Sequence, residues 1–126
     1  MPANAENYDV MVTTNLFGNI LSDEAAQVTG SLGLAAGANI GASYGMFEPV
    51  HGSAPKYTGM NRVNPIASIM AGAMMLNYLG ENQAASKIEN AVIAVLKEGK
   101  VRTADLGGFA TTSEMADAIV AKVKTK

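Results

Sequence analysis

"YDVMVTTNLFGNILSDEAAQVTG", residues 8–30, is the stretch on which the fold class turns. Its first six residues form a short β-prone run with apolar side chains on both faces, the pattern of a strand in a sheet covered on two sides. The residues that follow place Leu16, Ile20, Leu21 and Val28 near helical spacing and end on Gly30, which predicts a helix with a glycine stop. A strand feeding a helix is a β–α unit, so the chain reads as α/β.

Working outward, residues 30–45 carry five glycines in "GSLGLAAGANIGASYG", too many for an ordinary helix and suited to a tightly turning connection. "MFEPV" follows as a second strand ended by Pro49. Asn64 as N-cap and Pro65 at the first helical position predict a helix to about Leu79. The next helix starts near Asn82, aligns Ala85, Ile88, Val92, Val95 and Leu96 on one face, and stops at Gly99. "RTADLGGFA" is a glycine-containing loop, and "TTSE" at 111–114 is a capping box opening a last helix that aligns Met115, Ile119 and Val123. The sum is two or three strands and about four helices. So few strands rarely support a sheet alone, so residues 1–126 read as a single domain or as a fragment of something larger.

The bulk numbers narrow the function. The chain has 126 residues, 48% of them apolar, enough for one core. A net charge of −2 gives no basic footprint for nucleic acid. No cysteine is present, which leaves no disulfide framework and fits a reducing compartment. No apolar run approaches the roughly 20 residues that span a bilayer, and the first ten residues lack the regions of an export signal. These features predict a soluble, cytoplasmic protein without nucleic-acid or membrane partners.

Two groups of residues could carry chemistry. The first is "EPVHGSAPKYTGMNRVNP", residues 48–65, with the chain's single histidine, His51. Small polar donors, the cations Lys56 and Arg62, a ring at Tyr57 and an amide at Asn64 suit phosphates and a purine. The same composition also describes a solvated turn with surface cations. No GxGxxG or P-loop pattern is present, so a nucleotide site here is built differently. The second group is Asn19, Ser22, Asp23 and Glu24. Asn19 and Asp23 are four apart and share a helix face, able to offer two oxygens to a cation such as Mg²⁺, or simply a solvated face.

Five blocks resemble the C-terminal part of the β-decarboxylating dehydrogenases, the family of isocitrate, isopropylmalate, homoisocitrate and tartrate enzymes. They are "NLFGNILSDEAA" (15–26), "GSLGLAAGANIG" (30–41), "FEPVHGSAP" (47–55), "VNPIASIMAGAMML" (63–76) and "DLGGFATTSEMADAI" (105–119). The resemblance implies part of a large α/β domain and oxidation of a 2-hydroxy acid such as isocitrate by NAD(P), with Mg²⁺ or Mn²⁺ assisting loss of CO₂. It places His51, Gly52, Ser53 and Ala54 around the cofactor's adenosine and phosphates, with Asn64 at the adenine and Val63 among the cofactor-binding residues. Glu48 falls toward the nicotinamide, and Asp23 matches a metal-binding aspartate. Lys56 and Tyr57 resemble the NADP-using members, since a lysine pairs with a 2′-phosphate, whereas "RTADLGGFATTSE" resembles the NAD type; NADP is favoured over NAD. Asn19 stands where active members carry a second metal carboxylate, which weakens the implied metal site. The substrate-clamping serine and arginines, the catalytic tyrosine, and the lysine and further aspartate of a partner subunit have no counterpart in this sequence. The resemblance therefore implies no catalytic residue here. The expected partners are a dinucleotide and either copies of the chain or a complementary N-terminal dehydrogenase part. A non-catalytic nucleotide-binding or regulatory subunit is the alternative.

Overall fold

The computed structural model describes residues 7–125. Six regular elements follow one another: α1 (Asn15–Thr29), β1 (Ala36–Ile40), β2 (Gly45–Pro49), α2 (Ile66–Tyr78), α3 (Asn82–Glu98) and α4 (Thr112–Lys124). Short 3-10 turns occupy Leu32–Leu34, Pro55–Tyr57 and Ala104–Leu106. Among the described residues no helix is long and apolar enough to cross a membrane.

α2, α3 and α4 make the core. Their apolar faces bring together Ile66, Ala91, Val92, Val95, Met115 and Ile119. Ala67, Ala71 and Ala73 are buried on α2, and such short side chains let neighbouring elements approach its axis closely. α2 packs on α3 and on the hairpin, and α4 packs on α3. Phe47 of β2 meets Tyr78 of α2 with ring centroids 5.5 Å apart and a 53° tilt, within the range aromatic pairs prefer.

The helix boundaries follow local chemistry. Gly30 ends α1 at φ 121°, and Gly99 ends α3 in the left-handed region at φ 62°, where a side chain would be strained. Asn64 Oδ1 accepts from the Ile66 amide at 3.0 Å, so the cap acts from Asn64 although regular helix begins after Pro65. At α4, Thr111 Oγ1 accepts from Glu114 N at 3.2 Å while Glu114 Oε2 accepts from Thr111 N at 2.8 Å. These are the two reciprocal bonds of the capping box.

Two expectations are overturned. Residues 8–13 form no strand: no ladder partner lies beside them, and Val10 and Val12 are 80% and 92% exposed. An apolar run becomes a strand only where a neighbour takes its backbone hydrogen bonds and covers its faces, and here neither occurs. Conversely, the glycine-rich connection contains β1, which pairs antiparallel with β2 from Ala36 opposite Pro49 to Ile40 opposite Gly45. The sheet is this hairpin alone, so the architecture is α/β without a β–α–β crossover among the described residues. α1 buries only Ala26 and leaves Leu16, Phe17, Ile20 and Val28 exposed.

Candidate functional site

The loop from the end of β2 to the start of α2 is held by contacts distant in sequence. Asn61, left-handed at φ 51°, accepts the Thr112 amide on its carbonyl and the Ser113 amide on Oδ1, each at 3.0 Å. Thr112 Oγ1 donates to the Val63 carbonyl at 2.6 Å. Two amides at the head of α4, those of Thr112 and Ser113, thereby find acceptors, and the same bonds fix the loop.

Between this loop and the turn after α1 lies a cleft of about 730 Å³, inside the size range of small-molecule sites. Residues 30–33 form one wall, residues 51–54 with Tyr57 another, and residues 62–64 with Ala104 and Asp105 close it. A smaller hollow of about 300 Å³ adjoins it and shares Ser53, Ala54, Tyr57, Arg62 and Val63. The amides of Gly52, Ser53 and Ala54 donate to no acceptor among the described residues. Ala54 is left-handed at φ 44°. Free amides around such a bend are the arrangement that binds anions.

Of the residues singled out in the sequence, His51, Gly52, Ser53, Ala54, Tyr57, Val63 and Asn64 line this cleft together. His51 Nδ1 lies 2.9 Å from the Gly52 carbonyl. Lys56 stands outside the lining, its Nζ 4.9 Å from the centre of the Tyr57 ring, a cation–π distance. Glu48 is on β2, exposed and 3.4 Å from Asn39 Nδ2, and does not line the cleft. Asn19 and Asp23 lie one turn apart on α1, also outside the lining. Asn19 Nδ2 faces Asn15 Oδ1 at 3.4 Å. Among the described residues no three His, Cys, Asp or Glu side chains converge as a metal cluster. Mg²⁺ asks for about six oxygens in a near-octahedral array, of which Asn19 and Asp23 would offer a part.

The structure adds residues that sequence reasoning did not place in the site, Gln27, the turn at 30–33 and Asp105, and it puts Arg62, one of the two cations read in the loop, in the lining. Arg62 makes no ion pair among the described residues. Asp105 had no local signal, because its partners Ser31 and Asn64 are 74 and 41 residues away.

Burial pushes the Asp105 carboxyl upward, but hydrogen bonds from Ser31, Thr103, Asn64 and its own backbone outweigh this and hold it below the ordinary aspartate range. A folded value below the unfolded one means that the carboxylate's contribution is complete above about pH 4 and is lost as pH falls through the folded value. The urea midpoint of the parent should therefore exceed that of Asp105→Asn at pH 7. The gap should narrow as pH is taken from 5 to 3, and a gap that widens would contradict the assignment.

Comparison with known proteins follows the same outline. Residues 2–119 match the isocitrate/isopropylmalate dehydrogenase family. Isocitrate/homoisocitrate dehydrogenase of Thermus thermophilus is 54% identical over 120 residues, 95% of this chain and 36% of that protein. 3-Isopropylmalate/3-methylmalate dehydrogenase of Methanocaldococcus jannaschii is 53% identical over 117 residues, 93% of this chain and 35% of that protein. The crystal structure of isocitrate dehydrogenase from Methylococcus capsulatus superposes with a TM-score of 0.91 at 51% identity, covering 98% of this chain and 37% of that one. The chain thus spans about a third of the length of these relatives. A family match over nearly every residue, together with a fold that superposes at this identity, establishes that the chain belongs to the isocitrate/isopropylmalate dehydrogenase family.

Proposed function

We propose that this chain supplies the dinucleotide-binding part of an oxidative decarboxylase acting on a 2-hydroxy acid such as isocitrate. The observation that carries the reading is the loop at 51–54, which lines a cleft together with Tyr57 and Arg62 and whose amides at 52–54 find no acceptor among the described residues. Backbone N–H groups and a guanidinium suit phosphate oxygens, and apolar and aromatic side chains such as Val63 and Tyr57 suit a base. Bound there, the cofactor would supply the hydride-accepting nicotinamide ring. The residues of this chain bind and orient it. Substrate clamping and turnover need groups that this sequence does not carry, so the chain by itself is expected not to reduce NADP with isocitrate and Mg²⁺.

NADP is the favoured dinucleotide on the strength of Lys56. The ammonium lies over the Tyr57 ring, and Tyr57 lines both hollows, which puts a cation beside the mouth of the cleft and leaves it free to meet a 2′-phosphate. Calorimetric titration of the purified chain with NADP, NAD and ADP at up to millimolar concentration tests both statements. The expected order is NADP tighter than NAD, with the preference abolished or reversed in Lys56→Glu. That reversal amounts to about tenfold in the affinity ratio, the scale of one charge-assisted contact. Flat titrations with all three ligands would remove the dinucleotide reading, and an unchanged ratio in the variant would remove Lys56 from it.

A further inference from the structure

Asp105 is the point at which three segments of the cleft are tied. Its Oδ2 accepts from Ser31 Oγ at 2.5 Å and from Asn64 Nδ2 at 3.0 Å, and its Oδ1 accepts from Thr103 Oγ1 at 2.5 Å. All three donors belong to buried residues, with Ser31 at 5%, Asn64 at 6% and Thr103 at 0% exposure. Asp105, Ser31 and Asn64 all line the cleft, and Thr103 lies outside its lining.

Each bond has a downstream consequence. Asn64 Oδ1 accepts from Ile66 N while its Nδ2 donates to Asp105, so both ends of the carboxamide are committed and the amide cannot turn over. The Ser31 hydroxyl donates to Asp105 and accepts from Gly33 N at 3.0 Å, which fixes the turn forming the opposite wall. A Cβ on Gly33 would lie 3.0 Å from Asp105 Oδ2 and 3.0 Å from Asn64 Cβ, so the parts meet without spare room.

We propose that Asp105 is a positioning residue of the cleft, one carboxylate that sets the wall at 30–33 and the wall at 63–64 in the geometry that receives the dinucleotide. This rests on reading the cleft as a dinucleotide site. The chemistry asks for a carboxylate, because its two oxygens accept all three bonds at once. An asparagine there offers one neutral oxygen and an NH₂: turned toward Thr103, the NH₂ leaves the Ser31 and Asn64 bonds without charge assistance, and turned toward Asn64 it loses that bond outright. A role as a direct phosphate contact is disfavoured by charge, since a carboxylate repels the pyrophosphate.

The experiment is NADP titration calorimetry of the parent, Asp105→Asn, Asn64→Ala and the double variant, with circular dichroism and thermal unfolding on the same samples. Asp105→Asn is expected to bind NADP about tenfold more weakly at a temperature where it is fully folded, the effect of losing a charge-assisted bond. In the Asn64→Ala background the same change should cost much less, because part of its effect passes through Asn64. Ser31→Ala, which removes one arm only, should bind severalfold more weakly and carries the test if Asp105→Asn does not fold. Three results overturn the proposal. One is lowered stability with unchanged affinity, the mark of a purely structural bond. Another is tighter binding in Asp105→Asn, the mark of a bare repulsive charge. The third is additivity of the two substitutions. A parent chain that binds none of NADP, NAD and ADP overturns the cleft reading itself, a failure distinct from a parent that binds and a variant that binds equally well.

Discussion

Met115→Ala is expected to lower the stability of the chain by about 3 kcal/mol, the middle of the range for emptying a buried methionine site. Met115 is 0% exposed and lies in the cluster where α2, α3 and α4 meet, against a set that includes Ile66, Val92, Val95 and Ile119. Five of the six buried members of that cluster are β-branched or alanine, side chains that cannot extend far into the space left behind. The cavity would therefore persist rather than collapse, which puts the loss at the transfer value plus a cavity contribution. Against a typical total of about 5–15 kcal/mol, this is roughly a fifth to three fifths of the margin. Urea unfolding of parent and variant reads the difference, with Met60→Ala as control. Met60 is exposed, and its replacement should stay within about 0.5 kcal/mol. A loss below about 1 kcal/mol for Met115→Ala would mean that the three helices do not share the core described above.

What the sequence revealed and what it concealed divides along the range of the interactions involved. The four helices were legible because their signals are local: the capping box at 111–114, Asn64 before Pro65, and glycines at 30 and 99 all act within a few residues. Strands depend on partners. The run at 8–13 looked like a strand because its residues prefer one, yet preference without a neighbouring ladder leaves it irregular and exposed. β1 was hidden for the opposite reason. "AGANI" has one β-branched residue and is a strand only because β2 lies opposite. The cleft divides in the same way. The loop at 51–64 announced itself through clustered donors and cations, whereas the wall at 30–33 read as a mere turn, and the carboxylate joining the two sits in a loop far along the chain. Reading α1 from spacing put Asn19 and Asp23 on one face, and the structure keeps them there. Spacing alone could not say which further groups would surround a cation there.

The second large effect concerns two adjacent glycines that ought to behave differently. Gly107 is left-handed at φ 75°, and a Cβ there meets nothing within 4 Å. Gly107→Ala thus carries only the conformational cost of a left-handed alanine, about 1–2 kcal/mol. At Gly108 a Cβ would overlap the Arg102 carbonyl oxygen and the backbone carbon behind it. Backbone cannot swing aside as a flexible side chain can, so the loop has to open. Opening it breaks the bonds that close it, Gly108 N to the Thr103 carbonyl at 3.0 Å and Ala110 N to the Arg102 carbonyl at 2.8 Å. Gly108→Ala is therefore expected to cost about 3 kcal/mol, the upper part of the overpacking range, and to lower the melting temperature by about 10 °C. Because Thr103 and Asp105 belong to the same loop, the variant should also bind NADP more weakly than Gly107→Ala does. Thermal unfolding of both variants beside the parent decides the point. Equal melting temperatures for the two would show that the loop is loose enough to absorb a methyl group, and a loose loop could not hold Asp105 in place.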